Sequence, residues 1–201
     1  MTETVWLGWH FFKCNGRTGE GNRVVVPGKS MRVRGDLVMC YHGLHACKRA
    51  IDALCYAPGP MVQRVELRGE RVDYNDKSVA RERYCIWSAD ATQALREFTC
   101  WCAEEALPRE REAGREPDPR SWKAVEVARQ YLQGNATKEE LAAAQGPAMS
   151  AWLAAQGPAR AAWSSSSVSA SLVSASLVWP ADAASASKNA RLEELLTRRV
   201  T

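Results

Sequence analysis

The sequence predicts an α+β fold: a small mixed sheet with one helix in the N-terminal part, followed by an Ala-rich, all-helical region. Three observations lead there. Before Trp87, short β-branched and aromatic runs are separated by Gly and Pro. From Ser88 on, apolar residues recur with a helical period. Helix-start signals then cluster in the second part. The chain has 201 residues and a mass of 22.2 kDa, enough for one ordinary domain or two small ones. The expected division is an α+β head over 1–87 and a helical domain over 88–201, irregular or kinked across 146–180.

In the head, Thr4–Phe12 (TVWLGWHFF) is aromatic and β-branched and reads as a buried strand. Asn15–Asn22 is a Gly-rich turn. Val24–Val26 is a short strand stopped by Pro27-Gly28. Met31–Arg34 and Leu37–Cys40 flank Gly35-Asp36 and predict a tight hairpin. Lys48–Ala57 places Ile51, Leu54 and Cys55 at helical spacing before Pro58-Gly59-Pro60. Met61–Arg68 alternates, with Met61, Val65 and Leu67 against Arg64, Glu66 and Arg68, the pattern of a half-exposed strand. Val79–Trp87 is a further strand.

In the second part, Ala91, Leu95, Phe98 and Cys102 share a helical face, with Ser88 as the expected N-cap. Pro108 and Pro117–Pro119 bracket a charged loop. Asp118-Pro119 is an N-cap followed by proline at the first helical position, Trp122, Val125, Ala128 and Leu132 form the stripe behind it, and Gly134 stops it. Thr137 and Glu140 form a capping box. AAQGPA occurs at Ala143–Ala148 and again at Ala154–Ala159, with Trp152 and Trp163 at the same offset; each Gly-Pro is expected to break or kink a helix. SASLV repeats at Ser169–Val173 and Ser174–Val178, after the Ser164–Ser167 tract. Asp182–Arg199 closes as a helix with Ala186, Leu192, Leu195 and Leu196 apolar. The tryptophans Trp122, Trp152, Trp163 and Trp179 supply bulk to a region otherwise dominated by Ala and Ser.

Net charge is +4. Residues 1–87 carry 14 Lys and Arg against 9 Asp and Glu, an excess that steers acidic partners but lacks the basic run with interleaved aromatics that tracks phosphates. Nucleic acid is therefore not the expected partner. No apolar run approaches a membrane span, and the N-terminal residues lack a signal-peptide pattern, so the expected location is the cytoplasm. Seven cysteines with no CxxC pair read as reduced thiols, most of them small buried apolar groups.

The chemistry-bearing residues are few. The only histidines are His10, His42 and His45. Cys40-x-His42-x2-His45-x-Cys47 carries four atoms that suit zinc, but four ligands within eight residues would need a contorted loop; no metal and no cofactor is expected, with buried thiols and a backbone-bonded histidine as the bland account. An ADP-ribosyltransferase-type enzyme, or another nucleotide-using one, would map onto His10, Tyr56 and Glu66, an order that any small α+β domain can supply. Cys47 beside His42 or His45 is a possible thiol–base pair if a loop brings them together. Asp76-Lys77 reads as a turn.

Met39-Cys40-Tyr41-His42-Gly43-Leu44-His45-Ala46-Cys47 is followed by Ile51-Asp52-Ala53-Leu54, Tyr56, Val65-Glu66-Leu67-Arg68-Gly69 and Asp76-Lys77-Ser78-Val79. Over residues 5–87 this resembles an uncharacterised phage and prophage family with an L-C-x-x-G-[F/L]-H-A-C element, a D-x-L-x-Y segment, a V-E-x-x-G strand and a D-K turn. That family brings no function with it. The second part resembles the helical putative-immunity-protein family through Phe98–Ala106, Ala128–Leu132 with Gly134, and Thr137–Ala144, departing from it after Gly146. Together the resemblances imply a phage-type accessory protein that binds another protein, such as a host defence component or toxin. The histidine-bearing loop is then expected to hold sheet and helix together rather than to act on a ligand.

Overall fold

In a computed structural model, the described residues are 5–19, 21–146 and 183–198. The expected kinks of 146–180, the serine tract, the second AAQGPA copy and Trp152, Trp163 and Trp179 lie outside them. The α+β class holds, with two corrections. The sheet is antiparallel in every pairing, not mixed. The first helix begins only at Ala50, after three strands.

The strands are β1 (Trp6–Phe12), β2 (Ser30–Arg32), β3 (Leu44–Ala46), β4 (Met61–Asp73) and β5 (Ser78–Asp90). Their order is β1-β4-β5-β2, with β3 also on β5. The two runs read as separate strands, Met61–Arg68 and Val79–Trp87, are the cores of one long β4–β5 hairpin. Its turn is closed by Tyr74 N–H donating to the Lys77 carbonyl at 2.9 Å. The hairpin expected around Gly35-Asp36 does not form. Met31 pairs with Arg83 of β5 instead, because the long hairpin offers a ready edge that a three-residue strand can join. Val24–Val26 is not a strand either; it bridges Arg17 through Val24 and buries Val25.

Residues opposed in the register share a face. Trp6, Gly8, His10 and Phe12 of β1 oppose Leu67, Val65, Gln63 and Met61 of β4, and so form the inner face. At one end Trp6, Ala46, Val65, Leu67 and Ala80 pack together; at the other Phe12, Val25 and Cys85 pack with Met31 and Met61. Between these apolar ends the inner face carries polar groups: His10, Gln63 and Arg83. Register shifts between Arg64/Val65 and between Arg68/Arg71 bend the hairpin. The bend lets the two sides of the sheet meet, where Trp9 and Cys47 exchange N–H···O bonds of 2.7 and 3.0 Å. Gly8 permits that meeting, since a Cβ there would sit 2.8 Å from the Cys47 carbonyl and against the Trp6 ring.

Helix α1 (Ala50–Cys55) follows. Its buried residues are Ala50, Ala53 and Leu54; Cys55, expected on the apolar stripe, is exposed. Arg49 at its N-cap makes no side-chain cap bond. The caps come from the C-terminal helix (Ala183–Thr197): Asn189 Oδ1 accepts from Ile51 N–H at 3.1 Å and Glu193 Oε1 from Ala50 N–H at 3.3 Å. That helix buries Leu192, Leu195 and Leu196 but leaves Ala186 exposed. Two compact units result. One runs to Thr92 and takes in the C-terminal helix; the other begins at Gln93. The division expected at residue 87, with every later residue in a helical domain, therefore changes: the last helix belongs to the head.

Helix α2 (Thr92–Glu112) starts on the last residue of the first unit's N-terminal stretch and continues into the second, which also holds α3 (Pro119–Leu132). Ser88 remains in β5, and Asp90 Oδ1 takes the Thr92 N–H at 2.7 Å in its place. Pro108 lies inside α2 instead of opening a loop; proline removes a single donor there, and Arg109 pairs with Glu105 one turn back at 2.9 Å. Asp118 caps α3 through Arg120 N–H at 2.8 Å, with Pro119 in the first turn. Arg129 forks onto Glu104 of α2 at 2.6 Å. The Arg111 guanidinium lies 4.9 Å from the Trp122 ring centre. Asn135 N–H reaches the Gln130 carbonyl across Gly134 at 2.8 Å, a left-handed helix stop. The capping box is reciprocal: Thr137 N–H to Glu140 at 2.7 Å and Glu140 N–H to Thr137 Oγ1 at 3.1 Å, leading into helical residues 138–146. Among the described residues, no helix is long and apolar enough to cross a membrane.

Candidate functional site

The Trp9–Cys47 rung explains an opening in the head. Trp9 spends its backbone groups on Cys47 and cannot also bond Arg64, its register partner in β4. Bonding direction alternates along an antiparallel strand, so Phe11, two residues on, also turns its N–H and C=O away from β4. The His45 carbonyl accepts from Arg83 Nη1 at 2.6 Å. Phe11 and His45 line a cleft of about 380 Å³.

The cleft is lined by His10 and Phe11 from β1, His45 and Ala46 from β3, Cys47, Ala53 and Tyr56 from the α1 region, Cys40 and Tyr41 from the preceding loop, and Lys77 from the hairpin turn. Gly43 sets the loop's course: its φ is +134°, and a Cβ would run into Val79. Cys40 adopts a left-handed φ of +67° and gives its N–H to His45 Nε2 at 3.1 Å.

The sequence candidates divide. His10, His45 and Tyr56 come together in the cleft with Cys40 and Cys47. His42 does not; its Nε2 donates to the Arg34 carbonyl at 2.8 Å. Glu66 opposes Leu7 in the register, which puts it on the face opposite His10, paired with Arg68 at 2.7 Å. The His10–Tyr56–Glu66 trio is therefore not assembled. Among the described residues no three His, Cys, Asp or Glu gather as a metal site, so Cys40, His42, His45 and Cys47 do not converge on one point. The histidine loop leads into β3, which pairs with β5, and its His45 lines a hollow that His10 shares.

The electrostatics narrow the chemistry. Burial, then the Arg83 charge and His45, hold His10 well below the usual imidazole range, so it is neutral. Burial first, then Asp52 and Asp76, push the Cys47 thiol up to about 12, which removes it as a nucleophile at neutral pH. Tyr56 donates to Asp76, and that bond raises its phenol pKa. The Lys77 ammonium lies 4.2 Å from the Tyr56 ring centre, and Cys40 and Tyr56 beside it raise its pKa. The cleft thus offers a cation, aromatic faces and neutral hydrogen-bonding groups.

Four contributors escape a reading by motif. Phe11 acts through its backbone, and Lys77 looked like turn chemistry. Gln63 and Arg83 each interrupt an apolar inner face, and polar residues at inward positions were the available signal. The chain matches no protein-family model, no curated protein and no solved structure.

Proposed function

We propose that the head binds a small nucleotide-class ligand carrying a planar carboxamide, of which the nicotinamide nucleotides are the type. The observation that carries this is the backbone edge of Phe11, which turns away from β4 at the cleft that Phe11 lines. A strand edge presents one N–H and one C=O side by side, and a primary carboxamide presents the matching acceptor and donor. Tyr56 and Tyr41 supply aromatic faces for a ring, and Lys77 a cation for a phosphate. This is the nucleotide-using reading of the head with its site moved. Glu66 lies on the opposite face, so the proposal stops at binding and does not extend to ribosyl transfer.

Calorimetric titration of the full chain with nicotinamide mononucleotide and with its nicotinic acid analogue tests it. The amide is expected to bind and the acid to bind at least about tenfold more weakly, because a carboxylate cannot donate to the Phe11 carbonyl. Equal affinities, or no heat with either, would remove the reading.

A second reading, a cytoplasmic phage-type accessory protein acting by protein–protein contact, is favoured by exposed tyrosines of the head. Tyr41 is 89% exposed, and Tyr74, on the turn that carries Lys77, is 65% exposed; tyrosine is a frequent interface anchor. Capture of one host protein by the wild-type chain, lost in Tyr41→Ser, supports it. Capture that Tyr41→Ser leaves unchanged removes it.

A further inference from the structure

We propose that Gln63 determines the specificity of the cleft: by donating its side-chain N–H to Nδ1 of His10 it locks that ring as the Nε2–H tautomer, so the cleft presents a fixed donor and selects ligand atoms that accept, such as a ribose oxygen. The choice of ligand rests on the preceding reading; the state of the ring does not.

Gln63 opposes His10 directly in the β1–β4 register. Its side-chain nitrogen lies 2.9 Å from His10 Nδ1. An amide nitrogen only donates, so Nδ1 must accept, and the proton of the neutral ring sits on Nε2. Gln63 is 1% exposed, so breaking this bond would strand a buried amide, a loss larger than that of a surface hydrogen bond. The groups facing the ring reinforce the arrangement. From β5 comes the Arg83 guanidinium and from β3 the His45 imidazole, both opposing a positive charge on His10. From β4 comes Gln63 itself. Lys77 and Tyr56, across the same cleft, contribute a cation and a phenol. A doubly protonated ring would present a charge and draw anions without regard to shape; a fixed neutral donor discriminates among acceptors by position.

Long-range ¹H–¹⁵N spectra of the histidine rings in the full chain test this directly. The His10 ring is expected to show an unprotonated Nδ1 and a protonated Nε2, unchanged between about pH 6 and 8, where a free imidazole titrates near 6.5. Gln63→Glu is expected to move the proton onto Nδ1, since a carboxylate only accepts. Gln63→Leu, which preserves apolar packing if the glutamate variant does not fold, is expected to leave the two tautomers mixed. A wild-type ring that titrates near 6.5 or carries its proton on Nδ1 overturns the proposal, as does a Gln63→Leu ring with the tautomer unchanged. A chain that binds no nicotinamide nucleotide but keeps the clamped ring overturns the preceding reading alone.

Discussion

His10 is an inward-facing base held neutral, and the consequence is a defined pH dependence. Its pKa in the folded chain lies below the unfolded value of about 6.5. Below that value the unfolded chain takes up a proton that the folded chain resists, so stability is intact above about pH 6.5 and declines as pH falls toward the folded pKa. Denaturation midpoints between about pH 7.5 and 5 are expected to fall on the acid side, and His10→Gln to flatten that part of the slope. Cys47 makes a second residue-scale case. With its thiol at about 12 and its side chain buried, it is expected to resist maleimide at about pH 8 while the exposed Cys14 and Cys40 react. Peptide mass spectrometry reads this, and denaturant is expected to abolish the difference.

At the scale of elements, the C-terminal helix acts as the missing cap of α1. Helix N-termini leave donors that need acceptors, and Arg49 supplies none from its side chain. Asn189→Ala removes the acceptor for Ile51 N–H and the Asn189–Glu193 bond. The expected cost is about 1 kcal/mol, read as a lower denaturant midpoint. Asn189→Asp, which keeps an acceptor, is expected to retain most of the stability. The same elements show what a sequence discloses. The Asp118 cap, the Thr137–Glu140 box and the Gly134 stop were legible because each is satisfied within a few residues of itself. The α1 cap was not, because its acceptors lie 138 and 143 residues away. The Gly35-Asp36 hairpin misled for a related reason: a good local turn lost to a longer strand arriving from elsewhere.

At the scale of the molecule, the class and the rough position of most head strands followed from hydrophobic alternation, while the sheet's closure did not. Closure depends on the register shifts at Arg64/Val65 and Arg68/Arg71 and on the close approach that Gly8 permits. The site was legible to the same degree. His10, Tyr56 and Glu66 were named together from chain order, and His45 from the Cys–His spacing; His10, Tyr56 and His45 line one cleft, whereas Glu66 does not, because one step in strand parity separates the two faces. Phe11 could not be named, since a backbone edge has no letter of its own. Gly8→Ala is expected to test the closure: its Cβ would displace the Cys47 carbonyl or the Trp6 ring, at a cost of about 1–3 kcal/mol, read as a lower melting temperature.

The return of the last helix to α1 also sets a timetable for biosynthesis. A ribosome adds roughly 5–20 residues per second, so Asn189 and Glu193 emerge on the order of ten seconds after the α1 backbone groups they serve. During that interval the nascent head has its hairpin but lacks the acceptors for Ala50 and Ile51, and it completes this joint only after the intervening residues have been translated.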